Sequence, residues 1–499
     1  MLAGFAVDLH IEVVDEHAAP IWTRLEVRGP GGKMYQSPGS IHENMQKSRG
    51  GKPYYLGSFI VDGSADVEVP AGAYTVVAEH GLEYTRVERE IAVPEGSPAR
   101  LNLRLTPWIR MREQGWWSGD MHVHHAAEEA PGIAQAEDLN FTVLVNRGKQ
   151  DLFRPEGWPA ESLRQVSDAY WVSLRNAEDE RRGGSWIWNA LQAPLTLGRE
   201  SGWYPQGLGY TREALAQRPP GSVLPWFDID MPFWWEVPVM VALGQPDSLD
   251  ILHNQFMQYG IDESEYWGRP RDRSEYPGWQ GFVDYCMGLY YRYLNLGYRL
   301  PPSAGTGTGV MPSPAGYDRL YAHLDGPFRM EDWYRAIRDG RSFVTNGPML
   351  FVTPMLFVTP KIGESAGDAA AAIDASAEAR EPIDRMELVA NGRVVEKIAA
   401  PENAHRMQAH FHIDPRKYSW CAVRCFLKTP DNIRLAHSSP IYLPGKWDAR
   451  PDAAYFAAWI GELIQQAVED TKRFTSDSQR DEVLAIYRQA LAVYREKAR

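Results

Sequence analysis

Apolar and polar positions along this chain change period several times, and each change marks a change of architecture. From residue 1 to 106 the pattern is strand-like. Short alternating runs at Ala6 to Val14, Trp22–Val27 and Ala73–Ala78 are cut by Gly and Pro turns, which predicts a small β-sandwich. Between 107 and 365 apolar strand-like runs, among them Asn140–Val145 and Pro238–Leu243, alternate with helical stretches at Glu161–Asp168 and Trp279–Leu296. That alternation predicts an α/β layer or barrel. Residues 366–447 read as β again: strand candidates at Arg385–Ala390, Arg393–Ile398, His410–Ile413 and Trp420–Leu427, and Asn391-Gly392 as a two-residue hairpin turn. The Ala-rich stretch Ala366–Ala379 carries little pattern and reads as a loop or short helix. Residues 448–499 predict two helices, Ala453–Arg473 and Ser478–Lys497, with Ser476 or Ser478 as the cap of the second.

A tandem copy interrupts this order. Pro348-Met-Leu-Phe-Val-Thr is followed at once by Pro354-Met-Leu-Phe-Val-Thr. An even-numbered insertion keeps the in/out alternation of a strand, so the copy reads as an extended strand or a loop.

Composition narrows the functional classes. Hydrophobic residues make up 44% of the 499, enough for real cores. The net charge of -13 argues against general binding to nucleic acid or to anionic membranes, which needs clustered Lys and Arg. No run of about 20 apolar residues exists to span a membrane. No basic stretch followed by an apolar run opens the chain, which fits a cytoplasmic protein or a mature form whose export signal has been removed. Cys286, Cys421 and Cys425 make no disulfide framework. Cys421 and Cys425, four residues apart on one strand face, stand about 13 Å from each other and read as small core residues. Of the 18 Trp, 14 lie between Trp108 and Trp333, a density that suits a core and also a ring-stacking cleft. Trp117, Trp186, Trp234 and Trp235 are the candidate substrate contacts for a small molecule or carbohydrate.

The candidate chemistry starts at Gly119-Asp120-Met121-His122-Val123-His124-His125. In a strand His122 and His124 share a face, and two imidazoles at a strand end bind one divalent metal. Asp120 shares that face, as a third ligand or as an acceptor for an imidazole N–H. Further ligand candidates are Glu178 and Glu180 after the apolar run Tyr170–Leu174, Asp228 and Asp230 alternating in Trp226-Phe-Asp-Ile-Asp230, Glu236 beside Trp234 and Trp235, and His253 after Leu249–Leu252. Ser303-Ala304-Gly305-Thr306-Gly307-Thr308-Gly309 lacks the Lys of a phosphate loop and reads as a loop whose backbone approaches a ligand. No Gly-x-Ser-x-Gly elbow is present, and no cysteine sits beside a base.

Trp117-Ser118-Gly119-Asp120-Met121-His122-Val123-His124 resembles the opening SGDLHVH motif of CehA/McbA-type metallohydrolases of the polymerase-and-histidinol-phosphatase (PHP) superfamily. Supporting stretches are 294–305, 316–327, 340–348, 436–442 and 452–456, so the resemblance covers roughly 110–460. Val69-Pro70-Ala71-Gly72-Ala73-Tyr74 similarly resembles the PAGxY turn of carboxypeptidase-regulatory-like sandwiches. The PHP resemblance implies a distorted (β/α) barrel with divalent metals (Zn, Mn or Fe) at the strand C-termini, and hydrolysis of ester, carbamate or phosphoester bonds. Carried over, His122 and His124 match the first metal motif, and Glu180 the ligating acid, with Glu178 as the fallback. Three of the family's ligand motifs are replaced here, by Val143-Leu-Val-Asn-Arg-Gly148, Gly184-Ser185-Trp186 and Gly305-Thr-Gly-Thr-Gly309. The expectation is therefore a PHP-like α/β barrel flanked by N- and C-terminal β-sandwich domains and a C-terminal helical pair. Its site would be mononuclear, with His122, His124, Glu180, Asp228 and His253 as the ligand set. Glu180 or Asp230 would act as general base, and Arg181 or Arg147 would orient an anionic group. The alternatives are a non-catalytic, aromatic-rich carbohydrate-binding protein, and a metal-independent glycosidase or lyase using carboxylates such as Asp228 and Glu236.

Overall fold

Strict alternation at the start of the chain puts every second side chain into one core. In the computed structural model, which describes residues 6–49, 52–145, 158–196, 198, 202–355 and 371–499, the strand Val7–Val14 buries Leu9, Ile11 and Val13. It pairs antiparallel with Ser64–Val69 and parallel with Ala99–Arg104. A second, antiparallel sheet carries Ile41–Arg49, Lys52–Asp62, Trp22–Arg28, Gly72–Glu79 and Val87–Val93 in that order. Leu25, Val27, Phe59 and Val76 of this sheet share one apolar cluster with Leu9, Ile11 and Val67 of the first. Arg24, 3% exposed, ties this part to the centre of the chain, donating to Glu79 and Glu137 at 2.7 Å each.

The central strands are buried on both faces, as parallel strands covered by other layers are. Trp116–Val123 runs parallel to Phe141–Leu144, which runs parallel to Trp171–Ser173. A second sheet holds Ala177–Arg181, Gly184–Asn189, Trp226–Asp230, Ser248–Leu252 and Pro302–Ala304, the last three parallel. Both sheets are open paths, so the fold is mixed α/β and mostly strand, without the closed ring of a barrel among the described residues. The sheets are joined by backbone pairing at a seam. Val123 bridges Thr308 in parallel, the His124 amide donates to the Thr308 carbonyl at 2.8 Å, and the Gly307 amide donates to the His122 carbonyl at 2.7 Å.

The sheet of Trp116–Val123 continues across Arg319–His323, Ser342–Thr345, Leu435–Ser438, Trp420–Leu427, Ile383–Ala390 and Arg393–Ala399. Three of the strands read as a C-terminal β-layer are thus hydrogen-bonded into the sheet that carries the histidine pair, whereas Arg406–Ile413 belongs to a separate three-stranded sheet. Asn391 and Gly392 turn with φ of 47° and 78°, the left-handed pair that a two-residue hairpin requires. Cys421 and Cys425 are buried and free on one strand.

Three local expectations are corrected. Pro238–Leu243 belongs to a helix, Val237–Leu243, because proline suits a first helical turn and a short buried apolar run does not distinguish helix from strand. Within Glu161–Asp168, Leu163–Gln165 is a strand paired antiparallel to Trp171–Ser173. In the Ala-rich stretch, Ala371–Glu378 is the middle strand between Met349–Met355 and Arg406–Ile413, with Ile373, Ala375 and Ala377 turned inward. Residues 366–370 and the end of the second tandem copy, 356–359, lie outside the described residues; its start, Pro354-Met355, extends the strand of the first copy. At the C-terminus, helices Arg450–Glu469 and Asp477–Lys497 form as read, the second capped by the Ser476 hydroxyl accepting from the Gln479 amide at 3.3 Å. They lean on the central part through Tyr494 to the Pro238 carbonyl at 2.9 Å and Trp459 to the Trp235 carbonyl at 3.1 Å.

The seam depends on a missing side chain. A Cβ at Gly309, whose φ is +84°, would stand 1.7 Å from the His124 carbonyl oxygen. Gly309→Ala is expected to cost about 3 kcal/mol or more in unfolding free energy. Denaturant unfolding of the two proteins side by side checks this.

Candidate metal centre

The strand Trp116–Val123 ends where the Gly305–Gly309 loop crosses it, and that crossing aims the two histidines. Asp120, fully buried, gathers the crossing. Its carboxylate accepts the backbone N–H of His122 at 2.9 Å, of Thr306 at 3.1 Å and of Gly316 at 2.7 Å. Neither a metal ligand nor a partner for an imidazole, Asp120 straps strand to loop. Beside it, a Cβ at Gly305 would fall 2.5 Å from the His122 Cβ, so the loop's closeness also fixes where His122 leaves the backbone.

His122 Nε2 and His124 Nε2 point at one place, 2.8 Å apart. Glu178 completes the group from the strand Ala177–Arg181, with Oε1 3.4 Å from His122 Nε2 and Oε2 3.3 Å from His124 Nε2. One ligand atom from each of the three residues falls within 4.8 Å of the others. A tetrahedral zinc with bonds of about 2.0–2.1 Å keeps its ligand atoms about 3.3 Å apart. The nitrogen–oxygen separations match that spacing, and the nitrogen pair is somewhat closer. The donor set fits a divalent ion. Behind the ligands, Ser185 donates to Glu178 Oε1 at 2.9 Å, and Asp230 Oδ1 stands 3.9 Å from His122 Nδ1.

Charge makes the same case. Burial disfavours a charged His122, but the carboxylates of Glu178, Asp230 and Asp120 outweigh it and lift the imidazole to about 10. Burial also works against the Glu178 carboxylate, yet the two histidines hold it below the usual range. Metal-free, the group is an ion pair in which a proton occupies the place of a cation.

Glu178, the fallback from the sequence, is the acid that meets the histidines; Glu180 lies two residues on, along the same face, and lines a neighbouring pocket. Asp228 is held elsewhere. Its Oδ1 accepts from Ser248 and Ser303, both at 2.6 Å, and burial raises it to about 6. Burial, aided by the charges of Glu178, Glu180 and Asp228, pushes Asp230 up to about 8. Asp250, which the sequence reading passed over, is fully buried among these acids, and burial with Asp228 and Asp230 raises it well above the carboxylate range. Its alternation within Ser248-Leu-Asp-Ile-Leu252 is the signal that singled out Asp228 and Asp230.

Other expectations are corrected. His253 is boxed by Phe233, Phe256 and Phe282 with ring centroids 5.0–6.0 Å away, and burial alone lowers it to about 3. It is a neutral core residue and joins no ligand group. Arg181 lies on the opposite face of its strand, paired with Asp179 at 2.6 Å and set over Tyr210, so it orients nothing at the centre. Arg147 lies outside the described residues. Glu236 accepts from Tyr487 and, at 3.3 Å, from Gln206, in a network of its own. Trp117 packs against Trp171 and Phe328, Trp186 against Gly184 and Gly207, and Trp235 against Trp459, all as core. Of the four candidate tryptophans only Trp234 lines the pocket beside Glu180.

No protein-family model and no curated protein matches this chain.

Metal uptake has a definite proton sign. Ligation needs neutral imidazole, and His122 keeps its proton until pH rises through about 10, so binding near neutrality releases it. Zn²⁺ or Mn²⁺ is expected to bind one per chain, with affinity rising between about pH 6 and pH 9. His122→Ala and Glu178→Gln should each abolish stoichiometric binding. Calorimetry in buffers of different ionisation enthalpy reads both the stoichiometry and the proton count.

Proposed function

We propose that this protein is a hydrolase of ester, carbamate or phosphoester bonds that works with one divalent ion held by His122, His124 and Glu178. The observation that carries the reading is the convergence of two imidazole nitrogens and a carboxylate within 4.8 Å at the C-terminal end of a parallel strand. The likeness of Trp117 to His124 to the PHP opening motif supports the same reading. With it come kinship to a distorted barrel and, for residues 1–106, a regulatory-like sandwich serving as a spacer. The replaced motifs agree with a single ion rather than a cluster.

The ion would supply Lewis acidity at neutral pH, and hydrolytic chemistry of this kind needs little else from a metal. The chain supplies position and proton control. Ser185 fixes one Glu178 oxygen, and the Asp120 strap fixes the His122 backbone. Asp230 stands 3.9 Å from His122 Nδ1, beyond hydrogen-bond reach, and its charge raises the basicity of the ring. Asp230 is also an acid outside the ligand set whose carboxylate comes within 3.9 Å of a ligand ring, which makes it our candidate for moving a proton during turnover.

The alternatives lose their motive. Three of the four tryptophans offered for carbohydrate stacking are core, and Asp228 and Glu236 sit in separate hydrogen-bond networks instead of facing one another.

The test is a panel of a nitrophenyl acetate, a phenyl carbamate and a nitrophenyl phosphate, offered to metal-loaded and chelated protein. Turnover of at least one should require the metal, and His122→Ala should lower kcat/KM at least about a hundredfold. Asp230→Asn should weaken metal affinity by about ten- to a hundredfold while the fold persists. Equal turnover after chelation, or by His122→Ala, would sink the reading.

A further inference from the structure

A pocket of about 100 Å³ opens beside the metal centre, lined by Glu180, Met231, Trp234, Asn254, Tyr266 and Trp267. Each wall is a continuation of the centre. Glu180 follows Glu178 by two residues on the same strand face, about 7 Å further along. Met231 follows Asp230, and Asn254 packs against Gly307 of the loop that crosses the histidines. Met231 and Tyr266 both hold left-handed backbone, with φ of 53° and 45°, which non-glycine residues adopt when the surroundings impose it.

Size and chemistry restrict what enters. A volume of about 100 Å³ is roughly three times the share of one liquid water, far below the space a sugar ring or a drug-sized ligand needs. Only a compact group fits. Three aromatic rings and one acid line it together with Met231, Asn254, Val310 and Met311, and no Lys or Arg is among the described lining residues. Trp234 and Trp267 have ring centroids 6.1 Å apart and planes tilted by 44°, and the buried Trp234 indole N–H has no hydrogen-bond partner among the described residues. Trp267 is 49% exposed, a large apolar ring left at the rim. Aromatic faces around an acid attract a compact cation and repel phosphate.

We propose that this pocket seats an alkylammonium group of the substrate, so that the preferred substrates are esters or carbamates with a quaternary or tertiary ammonium on a short tether. Its role as a substrate subsite rests on the hydrolase reading; its affinity for cations does not.

The experiment compares a cation with its uncharged carbon isostere: choline against 3,3-dimethylbutanol for binding, and their acetate esters for turnover, on the metal-loaded full chain. Choline should bind at least about tenfold more tightly than the alcohol, and the choline ester should show the lower KM by a similar factor. Trp267→Ala, at an exposed position that does not threaten folding, and Glu180→Gln should each weaken choline binding on the order of tenfold. Equal binding of the two probes, binding of neither, or choline affinity untouched by Trp267→Ala would overturn the proposal. Choline binding with turnover of neither ester counts against the hydrolase reading and leaves the cation site standing. Turnover of both esters with equal KM does the reverse.

Discussion

Three backbone amides share one buried carboxylate at Asp120, and the site is arranged around that fact. The amides come from its own strand, from the loop at Thr306 and from Gly316. Hydrogen bonds to a charged acceptor are worth roughly 1.5–3 kcal/mol each, and the amides would otherwise be buried without partners. Burial pushes Asp120 above its ordinary value, and the three backbone donors, two of them from the loop and the segment after it, limit that rise. The loop is placed by Asp120, and its glycines allow it to come within van der Waals reach of the histidine backbones.

The electrostatic consequence reaches across to the second sheet. Trp226–Asp230 and Ser248–Leu252 bring Asp228, Asp230 and Asp250 into space with almost no water, and carboxylates in such a place stay charged only beside a cation. Ser248 and Ser303 donate to Asp228, and burial beside Asp228 and Asp230 raises Asp250 well above the usual carboxylate range. The proton that His122 keeps in the metal-free protein balances Glu178. Buried acids gathered this closely cost folding energy, and a cation beside them would offset part of that cost.

Much of this was readable in the amino-acid sequence where local rules suffice. Period-two alternation located the N-terminal strands, Asn391-Gly392 located a hairpin, and the spacing of His122 and His124 placed two imidazoles on one face. What escaped depends on tertiary choices. Glu178 and Glu180 share a strand face, and only the register with Gly184–Asn189 and the position of Ser185 decide which one meets the histidines. His253 follows a strand end just as a ligand would, but three phenylalanines from distant segments close around it. Trp117, Trp186 and Trp235 are indistinguishable by type from Trp234, and only the tertiary neighbours decide which ring borders the pocket, since Trp234 is itself 1% exposed. The apolar run Pro238–Leu243 carries no period that distinguishes a buried helix from a buried strand.

The sheet that holds the histidine pair runs without a break in hydrogen bonding out to the C-terminal strands Ile383–Ala390 and Arg393–Ala399, reached through Leu435–Ser438 and Trp420–Leu427.

 Pairing from the Trp116–Val123 strand to the Arg393–Ala399 strand is therefore continuous, and the histidine pair shares one hydrogen-bonded sheet with strands some 270 residues downstream of it. A cut in the chain between them leaves that pairing in place, because it runs from strand to strand and not along the chain.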